Sequence, residues 1–204
     1  MKRAILLGLA AAASMALVQA ASAAEGACGQ EGFRPLFNGK NLDGWKADAE
    51  ARKHWTVADG VLKYDGKGRD LWTEESFGDF ILKVDWRLPA PGDSGIYVRG
   101  FSKAQANIWT SPLGSGEVWG YRNDKKLPEE IRKAATPKKK ADKPVGQWNT
   151  FVITVKNDRM TVVLNGEEVI SNLELRGAPK SGRIALQHHG NPVEFRNISI
   201  KVLK

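Results

Sequence analysis

Apolar and polar side chains alternate along short stretches of this chain, and the alternation is cleanest in Phe80-Ile81-Leu82-Lys83-Val84-Asp85-Trp86-Arg87. Successive strand residues point to opposite faces. Phe80, Leu82, Val84 and Trp86 therefore form a core face, while Lys83, Asp85 and Arg87 project the other way. Similar runs are predicted as strands over His54–Val57, Val61–Tyr64, Phe80–Leu88, Ser94–Val98, Ala106–Trp109, Thr150–Lys156, Arg159–Leu164, Glu167–Ile170, Arg183–Gln187 and Val193–Val202. Asp59-Gly60, Asp65-Gly66, Asn157-Asp158 and Asn165-Gly166 punctuate them as tight turns, the last in the form favoured by two-residue hairpins. Many short strands at this spacing predict an all-β antiparallel sandwich or jelly roll of two sheets.

Helix is scarce. Pro128–Ala135 fits two turns, with Pro128 at the first helical position and Glu129-Glu130 near the positive end of the helix dipole. It lies in a long excursion from Arg122 to Val145, and loops of that length in compact domains are often functional. At the other end, Lys2-Arg3, an apolar run from Ala4 to Val18 and the small residues Ala21-Ser22-Ala23 make the pattern of a secretory signal peptide. Residues 1–23 are thus expected to be a signal peptide, 24–31 a flexible segment and 32–204 a single domain, exported to the periplasm or beyond. The apolar run is too short for a comfortable membrane span. The one cysteine, Cys28, can form neither an intrachain disulfide nor a cysteine metal site. The formal charge is +8, from 31 Lys and Arg against 23 Asp and Glu. Its densest cluster, Lys138-Lys139-Lys140, sits among Ala, Pro and Asp rather than aromatics, so nucleic acid is not the expected partner.

Zinc-protease, P-loop, dinucleotide and Gly-x-Ser-x-Gly motifs are absent, as are the closely spaced carboxylates of ordinary glycosidases. What alternation offers is a polar row. Tyr97 and Arg99 lie opposite Ile96 and Val98, Asn107 and Trp109 opposite Ile108, and Gln187 and His189 opposite Leu186. Amides and guanidinium groups match paired hydroxyls, and aromatic faces stack on sugar C–H faces. Trp72, Trp109 and Trp119 are the platform candidates among seven tryptophans, while Asp85 and Arg87 add further possible sugar contacts. Glu117, in the glycine-rich Gly114-Ser115-Gly116-Glu117 loop, is a candidate acid, base or metal ligand, with Tyr121 nearby. Of the adjacent His188 and His189, alternation sends His188 to the packed face of Ile184 and Leu186, and His189 to the polar row. His54, away from the other polar groups, reads as structural.

Five motifs in order carry a family resemblance: Phe37-Asn38-Gly39-Lys40-Asn41-Leu42-Asp43-Gly44-Trp45, Ser94-Gly95-Ile96-Tyr97-Val98-Arg99, Pro144-Val145-Gly146-Gln147-Trp148-Asn149, Leu164-Asn165-Gly166, and Leu186-Gln187-His188-His189-Gly190 with Phe195-Arg196-Asn197-Ile198. Together they resemble the 3-keto-disaccharide hydrolase domain family. The resemblance implies a concanavalin-like jelly roll, bacterial export and action on 3-keto-glycosides. Many members carry Glu-x-Gln-x-x-Asp where this chain has Gln105-Ala106-Asn107-Ile108-Trp109-Thr110, so the acidic pair of that subgroup is missing.

A ketone at C3 acidifies the C2 hydrogen, so a base can start β-elimination of the C1 aglycone. On this reading His189 is the base, since an imidazole titrates near working pH. Arg99 and Gln187 hold the enolate or hydroxyls, and Glu117 or Tyr121 protonates the leaving oxygen. A divalent ion is the alternative electrophile, with His189 then a ligand, although no spacing demands one. The competing class is a non-catalytic carbohydrate-binding module of the same fold, which the same aromatics and amides would serve.

Overall fold

A computed structural model describes residues 32–204. The signal peptide expected over 1–23 and the segment 24–31 lie outside the described residues. Two antiparallel sheets make up the domain. The larger contains β1 (Arg34–Pro35), β2 (Trp55–Ala58), β3 (Val61–Tyr64), β5 (Phe80–Arg87), β8 (Asn149–Lys156), β9 (Arg159–Leu164), β10 (Glu167–Glu174) and β12 (Val193–Val202). Its order is β10-β9-β8-β5-β12-β3-β2, with β1 also pairing with β12. The smaller has the order β4-β11-β6-β7, from β4 (Leu71–Phe77), β11 (Gly182–Leu186), β6 (Asp93–Val98) and β7 (Phe101–Trp109). The expected all-β sandwich is what the chain forms.

Alternation builds the core between the sheets. Phe80, Leu82, Val84 and Trp86 from the large sheet are buried, as are Ile96, Ala106, Ile108 and Leu186 from the small one. Trp55 stacks on Tyr64 at a 4.4 Å centroid separation and lies 6.3 Å from the Phe195 ring, fastening the β2–β3 edge to the centre. The β9–β10 hairpin turns on Asn165 and Gly166, both at positive φ (53° and 87°), as its sequence led one to expect.

The excursion after β7 closes one side of the sandwich. It carries α1's successors: after α1 (Ala51–His54) come α2 (Trp119–Arg122) and α3 (Glu129–Ala134). Glu117 pairs with the β7 edge through the Asn107 N–H to Glu117 O bond of 3.0 Å. Farther on, the Lys138 N–H donates to Val169 O on β10, 2.9 Å away. The excursion therefore joins an edge of the small sheet to an edge of the large one, covering two strand edges at once. Buried Val118, Tyr121 and Ile131 are its apolar anchors.

Three sequence expectations change here. Arg99 does not continue the polar row of β6, because the strand ends at Val98 and Arg99 begins the turn into β7 at φ 53°. Its side chain, 1% exposed, donates to Gly78 O (2.9 Å) and Asn157 O (2.6 Å) and pairs with Asp79 at 2.7 Å. It is a buried clamp between loops. Asp85 and Arg87 occupy the outer face of the large sheet, the face away from the small sheet. Asp85 accepts hydrogen bonds from Thr150 (2.7 Å) and Asn197 (2.8 Å). Arg87 pairs with Glu194 and stands 4.8 Å from the centre of the Trp148 ring.

Because Arg99 satisfies a carboxylate and backbone carbonyls with its own charge buried, Arg99→Ala is expected to destabilise the domain by about 3 kcal/mol. Urea unfolding of both proteins measures it, and a loss under about 1 kcal/mol would contradict the clamp.

Candidate functional site

The outer face of the small sheet carries the polar row. Directly paired residues of an antiparallel sheet share a face. Tyr97 pairs with Gln105 and Ala185, Ala185 with Trp72, Gly95 with Asn107, and Asp93 with Trp109. Gln187 joins beside Gly95, its N–H donating to Gly95 O at 2.8 Å. Gly95 shapes what these side chains do. A Cβ there would lie 2.0 Å from Gln105 Nε2 and 2.7 Å from its Cδ. With only hydrogen at that position, Gln105 reaches across β6 and donates to Gln187 Oε1. Gln187 Nε2 then donates to the Tyr97 hydroxyl oxygen at 2.8 Å. Tyr97 in turn stacks on Trp72, with centroids 6.0 Å apart and planes 12° from parallel. One hydrogen-bonded chain spans three strands.

This chain floors a cavity of about 400 Å³. Asp93, Asn107, Trp109, Trp119 and His189 line the rest of it. Trp119, 52% exposed, comes from α2, which is held against β7 by a close approach at Gly120: a Cβ there would stand 2.5 Å from Lys103 Cα. Trp109 is fixed by its indole N–H donating to Gly114 O at 3.0 Å. His189 Nδ1 is 3.9 Å from Asp93 Oδ2. Burial pushes the Asp93 carboxyl above its ordinary range, against the pull of the neighbouring imidazole. Burial and the Asp70 charge likewise raise the Tyr97 phenol. Tyr97 therefore stays neutral and, with its oxygen accepting from Gln187, keeps its hydroxyl hydrogen for a ligand.

Of the expected site residues, the fold brings together His189, Tyr97, Asn107, Trp109, Trp119 and Gln187. It places Arg99, Asp85 and Arg87 elsewhere, as described. Tyr121 is fully buried, and its hydroxyl donates to Arg176 O at 2.9 Å, so it does not reach the cavity. Glu117 is sealed from solvent next to Asn107 and pairs with Arg122 at 2.7 Å. Burial raises its carboxyl, with Arg122 opposing. One Glu117 oxygen and Asn107 Oδ1 are buried without a partner. His188 is not packed as alternation implied. The strand stops at Leu186, and the His188 side chain is 48% exposed, 3.9 Å from Asp70. His54 bonds Asp65 at 3.0 Å and does not line the cleft.

Asp93 and Gln105 are the residues that sequence reasoning missed. Counting back by twos from Tyr97 through Gly95 reaches Asp93, so the periodicity held that signal. Gln105 needs the β6–β7 register, which sequence alone does not show. Among the described residues there is no group of three or more His, Cys, Asp or Glu side chains placed to hold a metal ion. No helix of the described residues is long and apolar enough to cross a membrane.

The chain is a two-sheet sandwich with an amide- and tryptophan-lined cleft on its smaller sheet. Residues 32–201 match the 3-keto-alpha-glucoside-1,2-lyase-like domain family, and the chain belongs to it. It is 26% identical to a 3-keto-disaccharide hydrolase of Bacteroides thetaiotaomicron over 231 aligned positions, covering 85% of this chain and 79% of that protein. A crystal structure of a candidate glycosyl hydrolase from Parabacteroides distasonis superposes with a TM-score of 0.63 at 25% identity, over 85% of this chain and 95% of that one. The fold is also shared with the carbohydrate-binding module CBM66 of Bacillus subtilis, with a TM-score of 0.53 at 15% identity over 79% and 97% of the two chains. Family and relative place the chain, at the level of class, among carbohydrate-active enzymes.

The crossing at Gly95 generates a double-mutant test. Gly95→Ala alone is expected to cost about 1–3 kcal/mol through overpacking against Gln105. Adding Gln105→Ala should recover most of that loss, a non-additivity that thermal unfolding reads directly. Additive effects would show that the two residues do not meet.

Proposed function

We propose that the chain cleaves 3-keto-glycosides by removing the C2 proton and eliminating the C1 substituent, and that it does so after export. The observation that carries this reading is the exposed imidazole of His189, standing beside Asp93 at the wall of a cleft floored by neutral hydrogen-bonding groups. Ordinary glycoside hydrolysis needs a carboxylic acid and a second carboxylate across the sugar. Here Gln105 and Thr110 stand where the related subgroup carries its acidic pair. Elimination asks for less: one base, and donors where the enolate oxygen develops.

In the proposed step, the His189 imidazole takes the proton from C2. The C2–H electrons form the C2=C3 bond of the enolate, whose oxygen accepts from the Tyr97 hydroxyl. Asp93 holds the imidazolium charge. The enolate then collapses: the C3 carbonyl re-forms, a C1=C2 bond forms, and the C1–O bond breaks. The departing oxygen takes the proton held on His189. Water adding across C1=C2 gives net hydrolysis. Because His189 both accepts and returns the proton, Tyr121 and Glu117 are not needed as acids, which agrees with their sealed positions. Trp109 and Trp119 stack on the sugar ring. Glu117 contributes indirectly, packed beside the Asn107 main chain.

A binding module needs the platforms but not a half-buried acid beside a histidine, so the catalytic reading is preferred. Purified protein is expected to release aglycone from a 3-keto-glucoside and not from the unoxidised parent. His189→Ala should lower that rate at least ~10²-fold. Release at the wild-type rate would remove His189 from its role. Export is read in the same expression culture: protein recovered from the periplasm should begin at residue 24, and an uncleaved cytoplasmic product would contradict it.

A further inference from the structure

Trp109 lines both the cleft and a second cavity of about 300 Å³. The two cavities differ in chemistry. The cleft offers amides, a phenol and the His189–Asp93 pair. The second cavity is walled by Trp86, Leu88, Val145 and Trp109, with Lys140 and Lys143 at its rim. Val145 is 45% exposed, one of the few large apolar side chains that the domain leaves in water.

The polar groups around this cavity divide into those already engaged and those free. Asp142 accepts the Ser115 N–H at 2.9 and 3.1 Å. Asn149 accepts from Lys143 N at 2.8 Å and donates to Gln147 O at 3.2 Å. Lys138 and Lys139, just upstream, pair with Glu168 and Glu167. Among the described residues Lys140 and Lys143 make no such ion pair. Trp86 is 2% exposed, and its indole N–H is buried with no partner. The cations and the donor left without a partner, Lys140, Lys143 and the Trp86 indole, stand in apolar walls, with the Asp142 carboxylate and the Gln147 amide beside them. Two indoles, Leu88 and Val145 wall in an apolar ring, and the two lysines outnumber the one carboxylate, Asp142. A flat apolar ring with one acceptor end fits.

We propose that this second cavity is the leaving-group site, and that it takes an aromatic aglycone bearing an anionic oxygen substituent. This rests on the elimination reading of the neighbouring cleft. In that reaction the C1–O bond breaks toward negative charge on the departing oxygen, and an aryl oxygen carries that charge better than a sugar hydroxyl does. Trp109, shared by both cavities, separates the ring that is oxidised from the ring that leaves. Lys140 and Lys143 draw the anionic end and hold it by charge.

Two measurements test this, one independent of turnover. 4-Hydroxybenzoate is expected to quench tryptophan fluorescence saturably, since Trp86 and Trp109 form the cavity. Val145→Asp, an exposed position whose exchange leaves the fold intact, should weaken that binding at least ~10-fold by placing like charge at the rim. Lys140→Ala with Lys143→Ala should weaken it comparably. In turnover, Val145→Asp should lower kcat/KM for 4-carboxyphenyl 3-keto-glucoside ~10-fold and leave methyl 3-keto-glucoside unchanged. Binding of 4-hydroxybenzoate that Val145→Asp abolishes supports the cavity assignment even if no 3-keto-glycoside is turned over, an outcome that sinks only the elimination reading. No saturable quench, displacement of the probe by a disaccharide at equal concentration, or an equal effect of Val145→Asp on both substrates overturns the aromatic assignment.

Discussion

The absence of a side chain at Gly95 is the constraint on which the cleft depends. Neighbouring strands lie about 4.8 Å apart, so residues two strands apart are about 10 Å from each other at their backbones. Gln105 on β7 can bond Gln187, just past the end of β11, only by lying flat over the strand between them. Any Cβ at position 95 would fall inside the Gln105 amide. Because that space is empty, the two amides meet, Gln187 turns its nitrogen toward Tyr97, and Tyr97 is held against Trp72. A row of flexible polar side chains becomes a fixed floor. Pre-set orientation of that kind is what makes hydrogen-bond donors effective on a charge that appears only during reaction.

The excursion supplies what the floor lacks. It pairs along β7, carries Trp119 over the cleft on α2, and reaches β10 on the far side of the sandwich. The same segment thus covers two strand edges, adds an aromatic wall and brings Lys140 and Lys143 near Trp109. Stability and recognition are built from one insertion. Glu117 illustrates the cost: its carboxyl is buried beside Asn107 with one oxygen unpartnered, offset by the Arg122 ion pair at 2.7 Å.

The fold was legible in the sequence because the alternation is strong where both sheets face the core, as in β5 and β9. β4 was not, since Glu74, Glu75 and Ser76 are all exposed and interrupt its period, and its pairing with β11 shifts register between Arg183 and Ala185. Part of the site was legible for the same reason: Tyr97, Asn107, Gln187 and His189 are the outward positions of real strands or their immediate continuations. Alternation failed where strands stop. Arg99 enters a turn and is swallowed by loop carbonyls, and His188 follows the end of β11 into solvent. Tyr121 and Glu117 were misjudged because a loop's burial depends on what it packs against, which no local pattern records. Asp85 and Arg87 alternate correctly but belong to the other sheet, and only topology separates the two outer faces.

The proposed cleavage turns on removal of a proton from C2 by a base in this cleft. The most direct test is to run the reaction in deuterium oxide and examine the released 3-keto-sugar at C2 by proton NMR at short times. Elimination followed by hydration predicts a product carrying deuterium at C2 with the wild-type protein, and no accelerated incorporation with His189→Ala. A wild-type product that keeps its original C2 proton would mean that the glycosidic bond is broken directly, which contradicts elimination.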